Sequence, residues 1–114
     1  MTAPLSDNRT GDNIRDVADL IIRDFHLEEK QGDLVSRNMQ EFREKLGMLI
    51  NYMLDNEFEK LLNAMYRLDI NEEKFRLALS NQDSPDVGLD IADLIIEREM
   101  QKVMTRRKYR EGKL

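Results

Sequence analysis

The sequence predicts an all-α fold, a bundle of four to five helices with at least one long heptad-patterned helix. Three observations lead there. Apolar residues recur at steps of three and four along most of the chain, as on helices that bury one face. No run of four or more residues alternates apolar and polar between turn signals, so no strand is predicted. Side chains able to cap helix N-termini stand just before several of the periodic segments.

The 114 residues suit a single domain. Residues 1–11 are polar, contain Pro4 and Gly11, and read as a flexible arm. A helical domain over 12–108 and a basic tail over 109–114 complete the predicted organisation.

The first helix is predicted from Asn13 to Phe25, capped by Asp12, because Ile14, Val17, Ala18, Ile21, Ile22 and Phe25 share one wide face. A polar link, Glu28 to Gly32, follows. Asp33 is the candidate cap of the second helix, in which Val35, Met39, Phe42, Leu46, Leu49 and Met53 alternate steps of four and three. Gly47 beside that seam either permits a neighbouring backbone to approach or simply weakens the helix by up to about 1 kcal/mol. The apolar series then changes phase to Leu54, Phe58, Leu61, Met65 and Leu68, and Asn56 with Glu59 resembles a capping box. A break near Asp55–Asn56 is therefore predicted, against the alternative of one long helix with a stutter. Asn71 caps a short helix to about Ser80, with Ile70 and Phe75 placed as a hydrophobic staple. After the polar turn at Asn81 to Asp83, Ser84-Pro85 reopens a helix that runs to about Lys108.

Composition excludes several chemistries. There is no cysteine, hence no disulfide, thiolate metal site or cysteine nucleophile. The longest apolar runs are three residues, too short for a membrane span or a signal core, so a cytoplasmic protein without membrane contact is expected. The chain shows no glycine-rich phosphate loop, H-E-x-x-H motif, EF-hand loop or dinucleotide fingerprint. The lone histidine, His26, follows the first helix, and no serine stands in a nucleophile context to partner it. No catalytic, cofactor-binding or metal-ligating residue is predicted, and no cofactor.

Four features remain. Asp86, Asp90, Asp93 and Glu97 line one stripe of the last helix, where like charges repel unless something opposes them. All-α nucleotide pyrophosphohydrolases place E-x-x-E and E-x-x-D pairs on adjacent helices to hold divalent metal. Here Glu41-x-x-Glu44 and Asp90-x-x-Asp93 are widely separated and the second pair begins with aspartate, so a metal-dependent hydrolase is only an alternative. Residues 102–114 carry six basic side chains against Glu111 alone, a balance of +5, while the other 101 residues balance to −10. Lys102, Arg106, Arg107, Lys108 and Arg110 are thus candidates for contact with a polyanion or an acidic partner, and Tyr109 could stack on a base. Six methionines inside predicted helices read as core filler before they read as an adaptable groove. Finally, Asp16 to Ile22 and Asp90 to Ile96 agree at six of seven positions, which allows the first and last helices to be pseudo-equivalent.

The function expected from these residues is that of a non-enzymatic, self-associating protein–protein interaction module. A homodimer is favoured, because Ile91, Leu94, Ile95 and Ile96 cover a wider arc than one contact needs. An unidentified protein partner is a further possibility. A nucleic-acid-associated accessory protein using the tail is the other alternative, less favoured at a net charge of −5.

Overall fold

A computed structural model describes residues 3–25, 36, 38–110 and 112. Five helices follow in order: α1 (Ala3–Asp24), α2 (Met39–Asn56), α3 (Phe58–Leu68), α4 (Glu72–Ser80) and α5 (Val87–Arg110). They form an all-α bundle, and no strand occurs among the described residues. His26, the Glu28–Gly32 link, Asp33 and Val35 lie outside them.

Helix α5 is the hub, packing against all four other helices and most extensively against α2. At about 1.5 Å per residue its 24 residues run close to the 40 Å long axis of the molecule. Three contacts set the α2–α5 register: Arg43 with Asp93, Gly47 with Leu89, and Asn51 with Asp86. Residue numbers rise along α2 as they fall along α5, so the two helices are antiparallel. Both helices are thinned where they cross. A Cβ on Gly47 would stand 2.7 Å from Leu89 Cδ2, and one on Gly88 would stand 2.4 Å from the Asn51 side chain. The close approach expected at Gly47 is present, and Gly88 supplies its counterpart on the opposite helix.

The core joins Val17, Ile21 and Phe25 of the first segment to Phe42, Leu46, Ile50 and Met53 of α2, Leu61 and Leu68 of α3, and Ile91 and Ile95 of α5, all fully buried. The heptad seam holds at Phe42, Leu46 and Met53, but Ile50 is buried completely where Leu49 only packs at the edge. A straight helix of 3.6 residues per turn carries its buried stripe one position onward over this length. Phe58, placed in the α3 core series, is 41% exposed, while Leu61, Met65 and Leu68 face inward as predicted.

The helix ends show which capping signals succeed. Asn71 accepts a hydrogen bond from the Lys74 N–H at 2.9 Å, with Phe75 buried and Ile70 packed on the core, as the staple pattern predicts. The break between α2 and α3 falls at Glu57, next to its predicted place, so 34–69 is not one continuous helix. Asn56, however, does not open α3; its amide donates back to the Tyr52 carbonyl and closes α2. Asn38 caps α2 by accepting from the Glu41 N–H at 2.9 Å. Asp86 rather than Ser84 caps α5, accepting from the Leu89 N–H at 3.0 Å, and α5 begins two residues after Pro85. Asp12 lies inside α1, which starts at Ala3, so the flexible arm expected over 1–11 is helix from residue 3 onward. Pro4 falls in the first turn, where its missing N–H is tolerated, and a single glycine at position 11 costs only about 1 kcal/mol. At the other end α5 runs two residues past Lys108 to Arg110.

Two C-termini are closed by arginines from other elements. Asp69 adopts φ 61°, ψ 46°, and the Ile70 and Asp69 N–H groups bond back to Met65 and Tyr66 in a Schellman motif. Arg98 of α5 donates to the Leu68 carbonyl at 3.0 Å, and Arg67 of α3 donates to the Asp24 carbonyl at 3.0 Å. These bonds satisfy carbonyls that a helix end leaves open.

The α2–α5 crossing carries a stability prediction. Gly88→Ala should lose about 1 kcal/mol or more, because the clash with Asn51 outweighs alanine's better helix propensity. Gly47→Ala should lose less, since the nearest obstacle is the methyl end of Leu89. Leu46→Ala, fully buried, should cost about 2–5 kcal/mol, and exposed Glu44→Ala should stay within about 0.5 kcal/mol. Urea unfolding of the four variants checks this; a Gly88→Ala variant more stable than the parent would refute the close crossing.

Candidate functional site

The acidic stripe of α5 is occupied by the protein's own groups. Asp86 Oδ1 accepts from the Asn51 amide at 2.9 Å as well as from the Leu89 N–H. Those two bonds, the Asn51 one foremost, hold its carboxyl below the ordinary range. Asp90 accepts from the Ser84 hydroxyl. Asp93 receives a two-pronged Arg43 guanidinium, Nε at 2.6 Å and Nη2 at 3.0 Å. Glu97 lies 4.0 Å from Lys74 Nζ of α4. The opposing base that the sequence lacked on α5 itself comes from α2, in the same subunit. Among the described residues, no three Asp, Glu or His side chains gather as metal ligands would.

The basic end of α5 divides into two sets. Arg107 Nη2 lies 3.0 Å from Asp16 Oδ2 of α1, and Lys102 Nζ lies 3.8 Å from Asp24 and 3.7 Å from Glu99. These two predicted contact residues therefore tie α5 to α1. Arg106, Lys108 and Arg110 make no ion pair with the described residues, and Lys108 and Arg110 are fully on the surface. Arg106 and Arg110 line a groove of about 700 Å³ between α1 and α5. Its floor is formed by Leu20 and Val103, its walls by Arg23, Thr105 and Tyr109, with Asp16 and Asp19 along the α1 side. Tyr109, expected at the edge of a free tail, is the helical side chain that closes one wall.

The repeated heptapeptide buries three positions in both copies, Val17, Ala18 and Ile21 in one and Ile91, Ala92 and Ile95 in the other, while Leu20 is buried and its counterpart Leu94 half-buried. The copies face different neighbours. Asp16 of the first reaches Arg107 at the far end of α5, and Asp93 of the second reaches Arg43 of α2. Pseudo-equivalence extends to the buried pattern and not to the partner.

Sequence reasoning missed Glu99. Its side chain is completely enclosed, and among the described residues no N–H or hydroxyl donates to either carboxyl oxygen, while the Asp24 carboxylate beside it can accept its proton. Spacing gives it away only weakly: it sits four residues after Ile95 and four before Val103, on the buried stripe. Burial pushes its carboxyl up to about 7, nearby Asp24 pushes the same way, and Lys102 with Arg23 opposes them only in part.

Among the described residues, the exposed large apolar side chains lie elsewhere. Met48, Tyr52, Phe58, Leu62, Tyr66 and Leu77 belong to α2, α3 and α4, and only Tyr109 to α5. The wide apolar arc of α5, expected to reach a second copy, is closed within one subunit: Ile91 and Ile95 are fully buried, Ile96 packs on the core and Leu94 is half-buried. A helix at the hub of a bundle meets neighbours on several sides, which is why its apolar arc is wide. Among the described residues, no helix is long and apolar enough to cross a membrane.

No family model matches this chain, and no curated protein and no solved structure matches it either. Its functional reading therefore rests on its own residues.

Glu99 sets a pH dependence. Its folded-state pKa of about 7 lies above the ordinary 4.5, so folding takes up a proton between those values. The stability contributed by Glu99 is fully present below 4.5 and is lost as pH rises through 7, by a few kcal/mol at most. Glu99→Gln should flatten that decline and stabilise the protein at pH 8 relative to the parent. Urea titrations at pH 5 and pH 8 decide it, and an unchanged difference between the two pH values in the variant would remove Glu99 as the cause.

Proposed function

We propose that this chain is a cytoplasmic, non-enzymatic interaction module that pairs with a second copy of itself along α3. The observation that carries this reading is the apolar row Phe58, Leu62 and Tyr66, one turn apart and all exposed. The row is symmetric about Leu62. An antiparallel pairing across a twofold axis there sets Leu62 against Leu62 and places each Phe58 ring beside the Tyr66 ring of the other copy.

Charge supports the same arrangement. Glu57 and Glu59 stand at the start of α3 and Arg67 at its end. Antiparallel pairing brings each acidic end to the other copy's basic end and opposes the two helix dipoles. A twofold contact of this kind closes on itself, so the α3 row is used up by one partner copy. Aromatic side chains with a polar tip, such as Tyr66, are frequent anchors of such interfaces.

Light scattering behind a sizing column tests the pairing. Over about a hundredfold concentration range the mass should rise toward twice the 13.5 kDa of one chain. Leu62→Lys should hold the mass at one chain, raising the dissociation constant by at least about tenfold. Leu77→Lys, more exposed but on α4, should leave the parent's behaviour unchanged. A parent mass fixed at one chain at the highest concentration, or equal effects of the two lysine variants, would overturn the proposal.

A further inference from the structure

Independently of the α3 pairing, we propose that the groove between α1 and the last turns of α5 binds a small organic phosphate carrying a planar ring. Its volume of about 700 Å³ lies in the usual range for small-ligand sites, roughly 300–1,000 Å³. Leu20 and Val103 give it an apolar floor, and both are nearly buried.

The cations of this region are sorted by the fold. Lys102 and Arg107 are held by the carboxylates of α1 and by Glu99. Arg106 and Arg110 are left, one turn apart on one face of α5, with no ion pair to the described residues. Like charges at that spacing repel each other until an anion joins them. Arg23 adds a third guanidinium from α1, paired among the described residues with its sequence neighbour Asp24 at 3.6 Å. The planar guanidinium fork matches the oxygens of a phosphate.

Tyr109 argues for the ring. It is 76% exposed yet lines the groove, so its face is open to stacking beside the guanidiniums. The acids argue for a compact ligand. Asp16 is neutralised by Arg107, but the exposed Asp19 carboxylate accepts from ligand hydroxyl or amino groups and repels a run of phosphates. A nucleic-acid strand, which must pass that carboxylate with its backbone charges, fits less well.

Calorimetry on the full chain with ADP and with inorganic pyrophosphate provides the test. ADP should bind, and pyrophosphate should bind at least about tenfold more weakly for want of a ring to stack. Tyr109→Ala should weaken ADP by about tenfold and leave pyrophosphate unchanged. Arg106→Ala combined with Arg110→Ala should abolish both. Lys108→Ala, which removes an exposed charge off the groove, should change neither. Retained thermal unfolding midpoints in these surface variants keep the comparison free of folding effects. Absence of ADP binding, a loss in Lys108→Ala equal to that in the arginine variant, or displacement of ADP by a lower concentration of single-stranded oligonucleotide would each overturn the proposal. None of these readouts depends on whether the chain pairs along α3.

Discussion

The close antiparallel crossing of α2 and α5 is the constraint on which the rest of the molecule depends. Two glycines, Gly47 and Gly88, remove the side chains that would hold the helices apart. The short distance then lets Arg43 grip Asp93 and Asn51 grip Asp86, so backbone approach and polar pairing enforce one register. Asp86 also caps α5, which means that one carboxylate ends the preceding loop, starts the hub helix and ties it to α2. With α5 held in this way, α1, α3 and α4 each have a fixed surface to cover.

Electrostatics are distributed by the same geometry. A chain with acids on one end of a helix and bases on the other invites a reading in terms of external partners. In the folded molecule many of those groups are answered internally: the acidic stripe of α5 meets Arg43, Lys74, Ser84 and Asn51, and Lys102 and Arg107 of its basic end meet Asp24 and Asp16. Pairs of this kind, largely exposed, contribute little stability each, yet they set orientation, since a wrong register would leave like charges adjacent. Glu99 is the exception, a carboxyl taken fully out of water with no donor among the described residues. The neutral acid is the form that such a place favours, and the nearby Lys102 limits the cost when it ionises.

Two surfaces of the described residues stand open to partners. The apolar row of α3 faces away from the core because α3 has only one buried stripe, Leu61, Ala64, Met65 and Leu68. The guanidiniums of Arg106 and Arg110 stand over the α1–α5 groove, while Asp24 and Asp16 of α1 pair with Lys102 and Arg107. The two surfaces differ in chemistry, one apolar and self-complementary, the other cationic around an apolar floor.

The sequence by itself determined the all-α class, the break between α2 and α3, the Asn71 cap with its Ile70–Phe75 staple, and most of the buried face of α1 and α2. These follow from interactions within a few residues, where helical period and capping chemistry act directly. Only the tertiary structure decided that Asp86 and not Ser84 caps α5, because Asn51 of another helix helps to hold that carboxylate. The same holds for Arg43 as the base that meets the stripe, for Glu99 as a buried acid, and for α3 rather than α5 as the helix with an open apolar row. In each case the deciding partner is far away along the chain, and a charge or apolar side chain reads alike in sequence whether a neighbour covers it or water does.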